Sequence, residues 1–375
     1  MKILHIGKYF PPFHGGMENF LDDLVREQVR VGNEVLVLCH QHKRGCPTET
    51  CQSGSGAQIV RVAIMGVAAY APVAPGFYQS LRKVLTEFKP DVVHVHMPNV
   101  SAFWLLFIKK SFKLVIHWHS DVVSSENEWK LRTLYPFYSL PETRLLAKAD
   151  VIIPTSTPYL ETSFPLKRFK KKCRVIPLGI KRNKFGSEMN HADSGSGCEG
   201  DEYIFSVGRF TYYKGFKYLI RACKDGYPGR LVIAGDGPLR ADMQRLVQSS
   251  GLGSRVSLPG RLSHFELQQC FKKCRAFCLP SIERTEAFGV VLLEAMSLGK
   301  PLITTRVEGS GMNEVNVHNE TGLVVEPADS VGLARAMNYM LQNRARAEEM
   351  GSRGRARLQE KFSIERVVWE VGKVY

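Results

Sequence analysis

A chain of 375 residues is long for one hydrophobic core and natural for two domains. Its 44% hydrophobic content, with 32 Gly and 19 Pro, excludes disordered and fibrous classes and predicts a soluble α/β protein, and no run reaches the roughly 18 apolar residues of a spanning helix. The net charge of +15 calls for an anionic partner; without zinc-finger, RRM or KH signatures or an aromatic-basic stripe, diphosphate substrates and an anionic membrane surface account for it better than nucleic acid, and no nucleic-acid partner is expected.

The chain enters a strand at Lys2–Ile6 with no charged head and apolar stretch before it, so no signal peptide is expected. The loop Gly7–Gly16 and a helix over Met17–Arg30 follow, with Phe20, Leu21, Leu24, Val25 and Val29 as its buried stripe. Strand, Gly-containing loop and helix open a Rossmann-like unit, whose ligand lies at the carboxyl ends of the strands. Gly15 and Gly16 would let the backbone approach a diphosphate, although a plain turn explains the pair equally well. Further strands are predicted at Glu34–Cys39, Ile59–Ile64, Pro90–His96, Lys113–Asp121, Asp150–Pro154 and Arg174–Gly179, with Gln41–Ala57 as a polar surface excursion and a basic amphipathic helix at Tyr78–Phe88. Helical crossovers make this sheet parallel.

Residues 167–184 carry nine Lys or Arg and no acid, and 186–200 are rich in Ser, Gly, Asp and Glu; this is the domain boundary. A second strand-loop-helix opening starts at Tyr203–Gly208, with strands at Leu231–Gly235, Val256–Pro259, Ala276–Leu279 and Pro301–Thr304. The expected division is 1–180, 181–362 and a terminal helix over 363–375. Nine scattered cysteines point to a reducing cytoplasm, and Cys270, Cys274 and Cys278, evenly spaced without a His partner, read as packing thiols.

Three stretches carry chemistry. Ser281–Gly299 is a polar loop running into an apolar helix, whose N-terminus offers free N–H groups to a phosphate; Glu286 sits at the junction and Glu294 eight residues on, both placed for ligand hydroxyls. Acidic residues near a helix start are also ordinary dipole partners, and Glu294 could be a solvated face. Arg209 and Lys214, on the first loop of the second unit, could bracket a diphosphate or be two surface cations. His117-Trp-His119-Ser-Asp121 ends a strand; His117 is expected on the opposite face from His119.

Read together, "EAFGVVLLEAM", "GRFTYYKGFKYLI", "HWHSD" and "PPFHGGMENFL" closely resemble the retaining, nucleotide-sugar-dependent glycosyltransferases of family 4, and the resemblance spans nearly the whole chain. It implies the GT-B fold, an α/β architecture of two Rossmann-like domains with parallel sheets facing across a cleft, acceptor side first and donor side second, and a last helix crossing back to the first domain. It implies that Arg209 and Lys214 stabilise the departing nucleoside diphosphate, and that His119 lies beside the donor's anomeric centre. By the same resemblance Glu286 holds the donor sugar, the backbone at Phe288, Gly289 and Val290 meets the distal phosphate, Glu294 holds the ribose, Arg261 lies near the base, and Asp121 orients the acceptor. Gly15 and Gly16 contact the donor phosphates or the acceptor. With no Asp-x-Asp motif, no metal and no cofactor are expected, fixed cations taking the metal's place. The combination looks most like bacterial polysaccharide mannosyltransferases, which implies GDP-mannose as donor, with a UDP-hexose or UDP-HexNAc as the alternative, and a glycan or lipid-linked glycan as acceptor. Front-face attack is favoured over double displacement. A sugar-nucleotide 2-epimerase and a non-catalytic polyanion-binding protein are the rival classes. The basic segment Leu166–Lys184 and the run Phe103–Lys110 would serve peripheral docking on the inner face of the plasma membrane, against a solvated face and a core helix as the plainer readings.

Overall fold

The computed structural model describes residues 1–13, 15–68, 70–122, 129–182 and 202–375. The Ser/Gly-rich boundary at 186–200 and the last residues of the basic segment lie outside them. The chain forms two compact units, Met1–Gly179 with Ile364–Tyr375, and Ile180–Ser363.

The first unit runs β1 (Lys2–Ile6), α1 (Gly16–Arg30), β2 (Glu34–His40), β3 (Glu49–Gln52), β4 (Gln58–Val62), the small hairpin β5 (Gly66–Ala68) and β6 (Ala71–Val73), α2 (Phe77–Phe88), β7 (Val92–Met97), a 3-10 segment Val100–Phe107, β8 (Lys113–Trp118), α3 (Trp129–Lys148), β9 (Val151–Pro154), α4 (Thr157–Thr162) and a 3-10 segment Lys167–Lys172. Its main sheet has the order β3-β4-β2-β1-β7-β8-β9, parallel except for β3. β7, Val-Val-His-Val-His-Met, is buried at every position, as a central parallel strand covered on both faces must be. Phe20, Leu21, Leu24 and Val25 are buried on α1, so its apolar stripe is the one its periodicity indicates. The C-terminal helix Ile364–Gly372 packs on α1 within this unit.

Three details differ from the sequence reading. The polar excursion contains the antiparallel edge strand β3, whose exposed residues give no apolar alternation to read. Residues 174–176 run beside β9 through two hydrogen bonds, Arg174 N–H to Ile152 C=O at 2.8 Å and Ile176 N–H to Pro154 C=O at 3.1 Å, without forming a strand. Lys113–Trp118 ends three residues before Asp121.

The second unit continues with β10 (Tyr203–Val207), α5 (Phe216–Lys224), β11 (Arg230–Ala234), α6 (Arg240–Ser249), β12 (Val256–Gly260), α7 (His264–Lys273), β13 (Ala276–Leu279), α8 (Val290–Ser297), β14 (Leu302–Thr305), α9 (Met312–Val315), β15 (Gly322–Val325), α10 (Ser330–Gln342) and α11 (Arg344–Lys361). The sheet order β12-β11-β10-β13-β14-β15 is parallel throughout. Its order reverses between β10 and β13, the switch point at which open α/β sheets bind ligands. Phe216, Leu219, Ile220 and Cys223 give α5 its buried face against Ile204, Leu231 and Ile233. Cys274 and Cys278 are buried free thiols, but Cys270 is disulfide-bonded rather than a packing thiol. Spacing within one segment carries no information about a bridge that leaves it.

Candidate active site

The loop after β10 and the loop after β13 flank the switch point, and backbone contacts bind them together. Gly215 sits at φ 68°, and a Cβ there would fall 2.0 Å from the Pro280 carbonyl oxygen. Ile282 N–H donates to Tyr213 C=O at 2.7 Å. This closure places the Lys214 ammonium on the Glu286 carboxylate, with both side chains nearly buried, at 11% and 12% exposure. The Ser281 hydroxyl donates to the same carboxylate oxygen at 3.3 Å. Burial lowers the Lys214 pKa, but the charge and hydrogen bond of Glu286, with Tyr213, outweigh it and hold the group above its ordinary value. The Glu286 segment is fixed in turn: the Ser310 hydroxyl donates to Glu286 C=O at 2.5 Å, and Gly311 N–H to Ala287 C=O at 2.7 Å.

Arg209, on the same loop as Lys214, is exposed and makes no ion pair among the described residues. Its loop lies against the one after β11 because Gly235, at φ 121°, lets the Gly208 carbonyl approach where a Cβ would stand 2.0 Å away. Arg261 follows β12, is highly exposed and pairs with Asp236 at 3.6 Å. Glu286 precedes α8 rather than lying on it, since the helix starts at Val290 after Gly289 at φ 81°. Phe288 is buried, and so is Glu294, on α8 itself.

In the first unit His119 is buried just beyond β8, its N–H donating to Met97 C=O at 3.1 Å. It belongs to an array of five buried histidines: His5 on β1, His94 and His96 on β7, His117 on β8, and His119. His117 and His119 lie on the same face, their rings nearly parallel with centroids 4.5 Å apart. The expectation of opposite faces is wrong because strand alternation has period two, which returns residue i+2 to the face of residue i. Burial pushes His5 down to about 4 and His119 to about 3, so both are neutral at physiological pH. Asp121 is buried; its Oδ1 accepts from the Trp118 indole at 2.9 Å and from the Ser163 hydroxyl at 2.6 Å. Gly15 caps α1 and Gly16 begins it, and the Glu18 carboxylate turns back so closely that a Cβ on Gly15 would lie 2.2 Å from its Oε2. A phosphate at that helix end would meet this carboxyl group.

Sequence reasoning did not find His5, His94, His96 or their partners Gln28 and Tyr375, which strand order and helix packing assemble from distant positions. It also missed Glu142 on α3, a buried carboxyl raised to about 8 by burial, against the hydrogen bond from Tyr135, with the charge of Asp121 adding to the shift.

Two family models match: "Glycosyltransferase Family 4" over residues 14–184 and "Glycosyl transferases group 1" over residues 191–357. The chain is 29% identical over 373 residues to O-antigen chain mannosyltransferase C of Escherichia coli, covering 98% of this chain and 96% of that protein. It is 30% identical over 373 residues to the D-rhamnosyltransferase WbpZ of Pseudomonas aeruginosa, covering 97% and 92%. Among solved structures, sucrose-phosphate synthase of Thermosynechococcus elongatus superposes with a TM-score of 0.80 at 23% identity, over 100% of this chain and 98% of that one. HepE of Anabaena, solved with UDP, gives a TM-score of 0.73 at 19% identity, over 100% and 99%. These matches leave the epimerase and polyanion-binding readings without support. With a switch-point site on the second sheet and relatives matching end to end, the chain belongs to glycosyltransferase family 4 and is a glycosyltransferase of GT-B fold.

Proposed function

We propose that the protein transfers mannose from GDP-mannose, with retention of the α configuration, to a hydroxyl of a glycan or lipid-linked glycan during cell-surface polysaccharide synthesis. The observation that carries the reading is the Lys214–Glu286 pair at the switch point, with exposed Arg209 on the same loop. Breaking the sugar–phosphate bond places negative charge on the diphosphate oxygens, and fixed cations aimed there lower the barrier. The Lys214 ammonium has three N–H groups, so it can keep Glu286 and still donate to phosphate. Arg209 adds a planar fork suited to two phosphate oxygens. Glu286 then holds sugar hydroxyls, and the amides that open α8 meet the distal phosphate. Glu294 takes the ribose, and Arg261 the base. The two cations do the work a metal would otherwise do, so the reaction needs none. The acceptor hydroxyl attacks the anomeric carbon on the face the diphosphate leaves, and its proton departs with the diphosphate.

The choice of mannose rests on the Escherichia coli relative, named for mannose on the O-antigen chain. The UDP in the Anabaena structure favours a UDP-hexose or UDP-HexNAc as the second reading. Thermal shifts across a panel of nucleotide sugars separate them, because a ligand stabilises the fold in proportion to the logarithm of its concentration over Kd. GDP-mannose should give the largest shift and an α-linked product, undiminished by EDTA. A larger shift with a UDP-sugar, an inverted product, or loss of transfer in EDTA would each overturn the corresponding part.

The acceptor side is the first unit, and its docking surface is an anionic bilayer on the cytoplasmic side. Among the described residues no helix is long and apolar enough to cross a membrane. On α3, Leu134, Phe137 and Leu140 are 52%, 80% and 56% exposed, and Phe107 is 70% exposed. The Phe103–Phe107 run thus divides: Leu105 is buried, while Trp104 and Phe107 face solvent. Lys109, Lys167, Arg168, Lys170 and Lys171 supply exposed positive charge. Flotation with phosphatidylglycerol vesicles should be lost in Phe107→Ser/Phe137→Ser and retained in the parent; equal flotation would remove this surface from the account.

A further inference from the structure

A second side-chain bridge joins the loops at the switch point of the second unit. After β10 the chain makes a single 3-10 turn over Tyr212–Lys214, in which Lys214 N–H donates to Thr211 C=O at 3.2 Å and Gly215 N–H to Tyr212 C=O at 3.2 Å. Successive side chains of such a turn diverge by about 120°, so Tyr212 and Lys214 leave it in different directions. After β13, Glu286 N–H donates to Glu283 C=O at 3.1 Å, a hydrogen-bonded turn whose first and last residues both carry carboxylates. Each carboxylate meets one side chain of the 3-10 turn: the Lys214 ammonium sits on Glu286, and the Tyr212 hydroxyl donates to Glu283 Oε2. The backbones also join the two turns, through Ile282 N–H on Tyr213 C=O at 2.7 Å. Tyr212 and Glu283 are both half-buried, and a hydrogen bond to an ionised acceptor is among the stronger kinds.

We propose that the Tyr212–Glu283 bridge is a clasp that keeps these loops together while Lys214 serves the diphosphate, which makes Tyr212 and Glu283 positioning residues for transfer. Lys214 has two roles that compete. Its bond to Glu286 helps to hold the loops, and the charge that builds on the leaving diphosphate draws the same ammonium away. A bridge built on a neutral phenol is spared that pull, so the loops stay closed as Lys214 shifts. Closure matters because a fixed cation lowers the barrier most when no loop has to be rearranged as the bond breaks. The transfer role rests on the reading of Lys214 as the diphosphate cation; the closure of the loops by Tyr212 does not.

The clasp is read in the full chain without any donor. Residue-resolved hydrogen exchange follows Ile282 N–H, which reports the loops, and Phe277 N–H, which donates to Pro301 C=O at 3.0 Å in the sheet and reports the unit. Tyr212→Phe and Glu283→Leu should each speed exchange at Ile282 by about tenfold or more, the loss of one hydrogen bond to a charged acceptor, and leave Phe277 within about twofold. Glu283→Gln keeps an acceptor oxygen for the phenol and should stay within about threefold of the parent at Ile282. The double variant Tyr212→Phe/Glu283→Leu should exchange no faster than the quicker single one, because one bridge cannot be lost twice. In transfer from GDP-mannose, Tyr212→Phe and Glu283→Leu should lower kcat about tenfold with donor KM within about twofold, and Glu283→Gln should restore most of it. Unchanged exchange at Ile282 in both single variants, or equal acceleration at Ile282 and Phe277, would overturn the clasp. Faster exchange at Ile282 with an unaltered kcat would support the clasp and overturn its role in transfer. A parent chain inactive with every nucleotide sugar would overturn that role together with the reading of Lys214, and the exchange result would still decide the clasp.

Discussion

Lys214→Met strands the Glu286 carboxylate in a site where both side chains are almost nine-tenths buried. Removing one partner of a buried pair costs about 3–5 kcal/mol, because the remaining charge has lost both water and its counter-ion. Residual exposure and the Ser281 hydroxyl soften this to below that range, so a loss of about 2–3 kcal/mol is expected. For a unit of this size that lowers Tm by about 5–10 °C. Glu286→Gln, which leaves an unpaired ammonium with a neutral acceptor, should cost about 1–2 kcal/mol. The double variant Lys214→Met/Glu286→Gln strands no charge and should lose only about 1 kcal/mol, far less than the sum of the single losses. Differential scanning calorimetry is the suitable assay, since two units can melt separately and a single two-state fit would hide the effect. Transfer must behave differently: each single variant should lose at least about a hundredfold in kcat, and the double variant should not recover. Additive stability losses would show that the two charges do not depend on one another. Transfer restored in the double variant would show that they serve structure alone.

Arg209→Ala should lower kcat by about ten- to a hundredfold and leave Tm unchanged, as the side chain is exposed without an ion pair among the described residues; a fall in Tm with full activity would reverse its role. Gly235→Ala should unfold the second unit at a markedly lower temperature than Gly226→Ala. Both positions have positive φ, 121° and 127°, but a Cβ strikes the Gly208 carbonyl only at Gly235 and meets nothing within 4 Å at Gly226. Equal melting of the two would show that the loops are not held by that close approach. The buried histidines predict acid lability. His5 titrates near 6.5 unfolded and is pushed down to about 4 folded, so the unfolded chain takes up the proton first. Stability is fully present above about pH 6.5 and is lost as pH falls to about 4, by about 3 kcal/mol from this ring alone. Urea midpoints at pH 7, 6, 5 and 4 should fall less steeply in His5→Gln than in the parent; parallel slopes would contradict the burial argument.

What the sequence made legible depended on whether the signal was local. Lys214 and Glu286 stand in short motifs whose loops follow apolar strands, so both residue types and their place at strand ends could be read directly. Their pairing could not, because it depends on Gly215 admitting the Pro280 carbonyl across the switch point. The edge strand β3 and the outer strand β15 were missed for a related reason: β3 is largely exposed and β15 is four residues long, so neither carries a strong buried pattern. The histidine array was the least legible. His5, His94, His96, His117 and His119 become neighbours only through the order β1-β7-β8, and Tyr375 joins them only because the last helix packs on α1. Asp121 shows the converse limit: a motif position was readable, but its grip by Trp118 and Ser163 was not.

The most direct test is a crystal structure of the full chain soaked with a nucleoside diphosphate, the product left when the sugar departs. The pyrophosphate oxygens should lie within hydrogen-bonding distance of the Arg209 guanidinium, the Lys214 ammonium and the amides that open α8, with Glu294 on the ribose. A pyrophosphate bound away from Arg209 and Lys214 would contradict it.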